Sequence, residues 1–161
     1  MKNLISNFPQ HIIDAVAICN NTKLKKNNND ISNIIICGMG GSGIAAKIVF
    51  DHIKNKINLP YYINKNYKLP GFVDKKSLVI VCSYSGNTEE ALSCFKEAVK
   101  NKSEICCVSS GGTLLKQAKK RKFNYMSLPK GNPPRTMIAF AIILLFNILN
   151  HYSVFKINIK S

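Results

Sequence analysis

Four short runs rich in β-branched, aromatic and cysteine side chains punctuate the chain: Asn33 to Cys37, Pro60 to Asn64, Ser77 to Ser83 and Glu104 to Ser109. Strands that are apolar along nearly their whole length cannot leave either face in water. They need helices on both sides, and that requirement selects a parallel sheet between two helical layers. A weaker fifth run, Asn124 to Leu128, follows. The intervening segments supply the helices, read as Ser6 to Cys19, Ser42 to Asn55, Thr88 to Lys100, Thr113 to Arg121 and Arg135 to Asn150. The middle three open on a Ser or Thr placed to cap, and Glu89 and Glu90 put carboxylates in a first turn, where the helix dipole favours them. The expected architecture is a three-layer α/β/α sandwich on a five-stranded parallel sheet, with Lys23 to Asp30 as a polar connecting loop.

At 161 residues, 46% of them hydrophobic, the chain suits one domain with a sizeable core. That domain is read as residues 1–150, with 151–161 a tail or the start of a linker. A net charge of +15 raises nucleic acid as a partner. The excess is almost all lysine, dispersed, with no arginine stripe or aromatic interleaving. Even the densest run, Lys116 to Lys122, alternates with apolar residues as a solvated helix face does. No nucleic-acid partner is expected. Cys19, Cys37, Cys82, Cys94, Cys106 and Cys107 show no C-x-x-C spacing and lie mostly in apolar runs, which points to reduced, buried thiols in a cytoplasmic protein, not to a metal site or disulfides. No signal peptide opens the sequence. The apolar run Met137 to Leu149 is well short of the ~20 residues a membrane span requires, so it reads as a buried core helix.

Ligands of such folds sit at the carboxyl ends of the strands, near a switch in strand order. Two loops reach that edge. The first, ICGMGGSGIAA from Ile36 to Ala46, fits G-x-G-x-x-G at Gly38, Gly40 and Gly43, which by itself admits either a dinucleotide or a smaller phosphate. The second, CSYSGNTEEA from Cys82 to Ala91, places the hydroxyls of Ser83, Ser85 and Thr88 and a turn glycine, Gly86, directly before a helix. Neutral donors converging on a helix N-terminus form a phosphate cradle that needs no lysine. A dinucleotide site should carry an acid at the end of its second strand to hold the ribose hydroxyls. Here Asn64 and Lys65 stand in that place and Asp51 comes too early, so the smaller phosphate is favoured and no cofactor is expected.

Taken in order, GMGGSGIAA, SYSGNTEEA and KGNPPRTMIAF resemble the first half of the bifunctional phosphoglucose/phosphomannose isomerases, members of the sugar isomerase (SIS) domain superfamily with its flavodoxin- or Rossmann-like fold. The resemblance covers nearly the whole chain. It implies that Gly41 and Ser42 contact the sugar phosphate and that Ser83, Ser85 and Thr88 bind the phosphate itself. It also implies that Arg135 stands near the reacting carbons, where a fixed cation stabilises an enediolate. The implied ligands are glucose 6-phosphate, mannose 6-phosphate and fructose 6-phosphate, with neither metal nor membrane involved.

One segment departs from the family, whose aromatic-Gln-Pro-Arg-Ala run is here Asn132, Pro133, Pro134, Arg135 and Thr136. Family members carry two SIS domains, and the resemblance places the glutamate base and ring-opening histidine in the second, beyond this sequence. His11, His52 and His151 fall on helices or the tail, and Glu89 and Glu90 are explained as helix-start charges, so no local base replaces them. The expected protein is therefore a sugar-phosphate-binding half of an aldose–ketose isomerase, incomplete as a single chain, acting as a homodimer or paired with a second SIS half. The alternative is a stand-alone module that senses a phosphosugar without turning it over.

Overall fold

The computed structural model describes residues 7–26 and 30–156. Helix α1 (Phe8–Asn21) precedes β1 (Asn33–Gly38), α2 (Gly40–Ile53), β2 (Tyr61–Asn64) and β3 (Ser77–Cys82). Then come α3 (Glu89–Lys100), β4 (Glu104–Ser109), α4 (Gly112–Lys120), β5 (Asn124–Ser127), a 3₁₀ turn (Pro134–Met137) and α5 (Ile138–His151). The strands form one parallel sheet in the order β2-β1-β3-β4-β5. This is the expected three-layer α/β/α architecture, with every anticipated strand within a residue of its expected ends.

The two-residue period of a strand divides the core cleanly. Ile34, Ile36, Leu78, Ile80, Cys106 and Val108 point into the layer built by α1, α2 and α5. Their immediate neighbours Ile35, Cys37, Val79, Val81, Ile105 and Cys107 point into the layer of α3 and α4. All of these side chains are buried, each large one contributing about 1.5–3 kcal/mol of transfer free energy, which explains why the central strands carry almost no polar positions. Edge strand β2 is covered less completely and exposes Tyr61 and Tyr62. All six cysteines are free and buried, as their apolar settings suggested.

Helix starts depart from the sequence reading. Helix α2 begins at Gly40, not Ser42, and α4 at Gly112, not Thr113; no Ser or Thr side chain caps either. Glycine is the cause: Gly40 and Gly112 adopt positive φ (51° and 66°), turning the chain into helix one or two residues before the hydroxyl residue that seemed to cap it. Thr88 does occupy the cap position of α3, yet its hydroxyl makes no bond to that helix. The last helix opens as a 3₁₀ turn because Pro133 and Pro134 lack amide donors. Thr136 instead closes the turn through its N–H and hydroxyl, both donated to the Pro133 carbonyl.

Helix α1 runs two residues further than expected, to Asn21; Ser6, the expected start, lies outside the described residues, as do residues 27–29 of the polar connector. The apolar segment Met137 to Leu149 is a core helix. Phe140, Leu144, Leu145, Ile148 and Leu149 are all at most 2% exposed. Among the described residues no helix is long and apolar enough to cross a membrane.

Candidate functional site

Gly38, the last residue of β1, pairs with Cys82, the last residue of β3. From this point the chain leaves in opposite directions, through α2 to β2 on one side and through α3 to β4 on the other. The loops therefore part and leave a crevice at the strand ends, the position where open α/β sheets take ligands. A cleft of about 250 Å³ opens there, lined by residues 39–42 of the first loop, Cys82 to Ser85 and Thr88 of the second, and Pro134. A groove of about 270 Å³ between α3 and α4, lined by Leu92, Phe95 and Val99 among others, lies away from the strand ends and brings no comparable set of hydroxyls together.

All five residues singled out for phosphate binding, Gly41, Ser42, Ser83, Ser85 and Thr88, line this cleft. Arg135 follows Pro134 in the 3₁₀ turn beside it, and the Arg135 side chain lies outside the described atoms. The turn comes down onto the first loop, its Pro134 carbonyl oxygen 3.7 Å from where a Cβ on Gly41 would stand. Three motifs spread over about a hundred residues thus meet at one place.

The hydroxyls are arranged with protons to spare. Ser83 Oγ and Thr88 Oγ1 lie 2.8 Å apart, so one donates to the other, and Ser83 Oγ also accepts the Gly86 N–H at 3.1 Å. Ser85 Oγ accepts the Asn87 N–H at 3.2 Å. Each hydroxyl has one proton, so this pattern commits one of the three and leaves two to be directed at a ligand. The first turn of α3 lies next to them without a side-chain cap, so its amides and dipole add favourable potential for an anion. Of the two carboxylates in that turn, Glu89 is exposed and accepts a hydrogen bond from the Tyr67 hydroxyl at 3.2 Å. Burial pushes the Cys82 thiol up to about 12, which keeps the floor of the cleft neutral and unreactive.

Close approach of backbones builds the cradle. Gly43 packs so tightly on β1 that an added Cβ would lie 2.7 Å from the Gly38 carbonyl oxygen. Gly86, at φ 71°, abuts the loop after β4, where a Cβ would collide with the Gly111 carbonyl. The two loops then bond to each other: Asn87 Oδ1 accepts the Thr113 N–H and the Gly86 carbonyl accepts the Leu114 N–H, both at 2.9 Å. The cradle loop thus supplies the cap that α4 lacks in its own sequence.

At the end of β2 the Asn64 amide is spent internally, donating to the carbonyls of Asn66 and Lys68 and to Cys94 Sγ, while the Lys65 side chain lies against Gly43. The position that holds a ribose-binding acid in dinucleotide sites is occupied otherwise. The histidines stand apart from the cleft: His11 against Phe140, His52 against Phe146, and His151 bonded to the Lys25 carbonyl. Among the described residues that line the cleft there is no carboxylate and no histidine.

Two supporting residues, Tyr84 and Asn87, were missed by the sequence reading. Both sit inside the SYSGNT run, where the serines and threonine drew the attention. A large aromatic set between two serines in a tight loop is the signal that could have pointed to Tyr84.

No family model matches the chain. Among curated proteins it is 36% identical over 145 residues to the bifunctional phosphoglucose/phosphomannose isomerase of Caldicellulosiruptor bescii, an alignment covering 90% of this chain and 43% of that protein. It is 38% identical over 127 residues to the protein of the same name from Aquifex aeolicus, covering 78% and 40% respectively. Of solved structures, the C-terminal domain of glucosamine-fructose-6-phosphate aminotransferase from Francisella tularensis superposes with a TM-score of 0.67 at 12% identity, covering 95% of this chain and 48% of that one, a likeness of fold. The chain spans less than half the length of the curated relatives it matches, and by its sequence identity to them it belongs to the bifunctional phosphoglucose/phosphomannose isomerase family.

Proposed function

We propose that this chain is the sugar-phosphate-binding SIS domain of a glucose 6-phosphate/mannose 6-phosphate aldose–ketose isomerase, corresponding to the family's N-terminal half. Residues 1–150 form the domain, and 151–161 are a tail or lead into a linker whose first residues, Tyr152, Val154 and Phe155, pack onto the core. The observation that carries the reading is the convergence of the Ser83, Ser85 and Thr88 hydroxyls, with two protons to spare, on the uncapped start of α3, in a cleft shared with the first glycine loop. Ser83, Ser85, Thr88 and the α3 amides take the phosphate dianion; Gly41 and Ser42 contact the sugar phosphate from the other side.

Isomerisation to fructose 6-phosphate moves a proton between C1 and C2 through a cis-enediolate, and Arg135 is assigned to the oxyanion that develops there. The reaction also needs a base within hydrogen-bond reach of the C2 proton and a group to open the ring. The described cleft residues offer neither. A second SIS half supplies both, from the same polypeptide or from a separate chain. A cytoplasmic setting without a cofactor completes the proposal.

Calorimetric titration with glucose 6-phosphate tests the reading, beside the Ser85→Ala/Thr88→Ala variant and with NAD as control. Binding that the double variant weakens by at least about tenfold is expected, the charge-assisted hydrogen bond from Ser85 and the hydroxyl that orients Ser83 being lost. NAD binding, or equal binding by both proteins, overturns it. Isomerisation at an ordinary enzymatic rate by this chain alone would refute the assignment of base and histidine to another half, whereas tight binding with no turnover even when a second half is added would make it a sensing module.

A further inference from the structure

Among the described residues, the segment that carries Pro134 and Arg135 has few means of holding itself in place. Pro129, Pro133 and Pro134 have no amide hydrogen, and Gly131 adopts φ 87°. Between the Leu128 amide, bonded to Ser109, and the Thr136 amide, bonded within its own turn, the amide of Asn132 is the backbone donor that reaches the rest of the domain. It donates to the Tyr84 hydroxyl at 3.1 Å, and that hydroxyl in turn donates to the Pro129 carbonyl at 3.1 Å.

The other end of Tyr84 is fixed as firmly. Its carbonyl accepts the Ser110 N–H at 3.0 Å and the Ser110 hydroxyl at 2.7 Å, so the loop after β4 clamps its backbone. Its ring packs against the core layer of α1, α2 and α5. Tyr84 lies between Ser83 and Ser85 and itself lines the cleft. It is a bar with one end in the phosphate cradle and the other holding a proline-rich segment that otherwise touches the first loop at Gly41.

We propose that Tyr84 is a positioning residue whose hydroxyl fixes the 129–135 segment against the phosphate cradle and so sets where Arg135 stands relative to a bound sugar phosphate. The tether is a property of the fold; its consequence for the ligand rests on the function proposed above. A single hydroxyl bonded at both its proton and its lone pair has no substitute in phenylalanine, which keeps the ring and its packing. Losing it frees Asn132 and Pro129 together and releases the segment without touching the three cradle hydroxyls.

The test compares the full chain with Tyr84→Phe by amide hydrogen exchange and by calorimetric titration with inorganic phosphate and with glucose 6-phosphate. Exchange at Asn132 should rise by about tenfold or more while amides of β3 and β4 keep their rates, which also reports that the variant is folded. Affinity for inorganic phosphate should stay within about twofold, because it reads the cradle alone, and affinity for glucose 6-phosphate should fall about tenfold. Combining Tyr84→Phe with Arg135→Ala should weaken sugar-phosphate binding no further than Arg135→Ala does, the non-additivity expected of residues acting through one another. Equal losses for both ligands, or additive losses in the double variant, overturn the proposal, as does an Asn132 amide unprotected in the unaltered protein. Should that protein bind neither ligand, the proposed function is what fails, and the exchange experiment still decides the tether.

Discussion

Each end of the sheet holds a cluster of polar side chains, and the two use them in opposite ways. At the amino ends of the strands, Asn124 donates to the Lys25 carbonyl and to the Tyr152 hydroxyl and accepts the Lys25 N–H, while Tyr152 donates to Glu104 at 2.8 Å. Every polar function of that asparagine and of the tyrosine hydroxyl is consumed within the protein. At the carboxyl ends, Ser83, Ser85 and Thr88 share one internal proton among three hydroxyls, and the neighbouring helix start has no side-chain cap. A saturated network stiffens a fold, whereas one with spare protons beside a helix start can still bond an anion. The difference between them separates a structural cluster from a candidate site more sharply than residue type does.

The comparison can be broken at several points. Gly86→Ala should have the largest effect, costing about 3 kcal/mol or more of stability in urea denaturation, because it combines a left-handed backbone with a collision against the Gly111 carbonyl. A cost under ~1 kcal/mol would mean that the two loops are not interlocked. Asn124→Ala should lower stability by about 2 kcal/mol, leaving buried partners unpaired, and leave sugar-phosphate affinity unchanged. The Ser85→Ala/Thr88→Ala variant should do the reverse, with melting altered by less than ~1 kcal/mol despite the lost binding. If both variants act on stability alone, the unsaturated cradle is only another structural cluster. Asn87→Ala, which removes the borrowed cap of α4, should cost about 1 kcal/mol, read as faster amide exchange in that helix.

A last test concerns the core between the two ends. Burial raises the thiols of Cys19, to about 11, Cys82, to about 12, and Cys106 and Cys107, while in the unfolded chain they ionise near pH 9.0. Above that pH the unfolded state holds fewer protons than the folded one, so stability is fully present below it and declines as pH rises. Urea titrations at pH 8 and pH 10 should show the decline, and Cys82 should resist alkylation at pH 8 although it lines the cleft.

How much of this was legible from the residues varies with the range of the interaction. The strands were, because β1, β3 and β4 are apolar at almost every position, and the alternation with helices leaves a parallel sheet as the way to bury both faces. Ser83, Ser85 and Thr88 were legible because their hydroxyls crowd six residues behind a strand. The helix caps were not: a serine or threonine near a helix start reads the same whether or not a glycine has already begun the turn, as at Gly40 and Gly112. Tyr84 and Asn87 were hidden for a different reason, since their partners lie 26 to 48 residues away and no local pattern encodes them.

By itself, then, the sequence determined which segments are strands and helices, that the sheet is parallel and doubly covered, and which hydroxyls and glycines crowd the loops behind β1 and β3, all of them matters of periodicity and neighbours in the chain. Only the tertiary structure decided that the three motifs meet at the β1/β3 switch point, that Thr88 turns from its helix to Ser83, and that Tyr84 joins the cradle to the proline segment. Those outcomes depend on strand order and on backbones approaching within a hydrogen-bond length, which are set by packing the whole core.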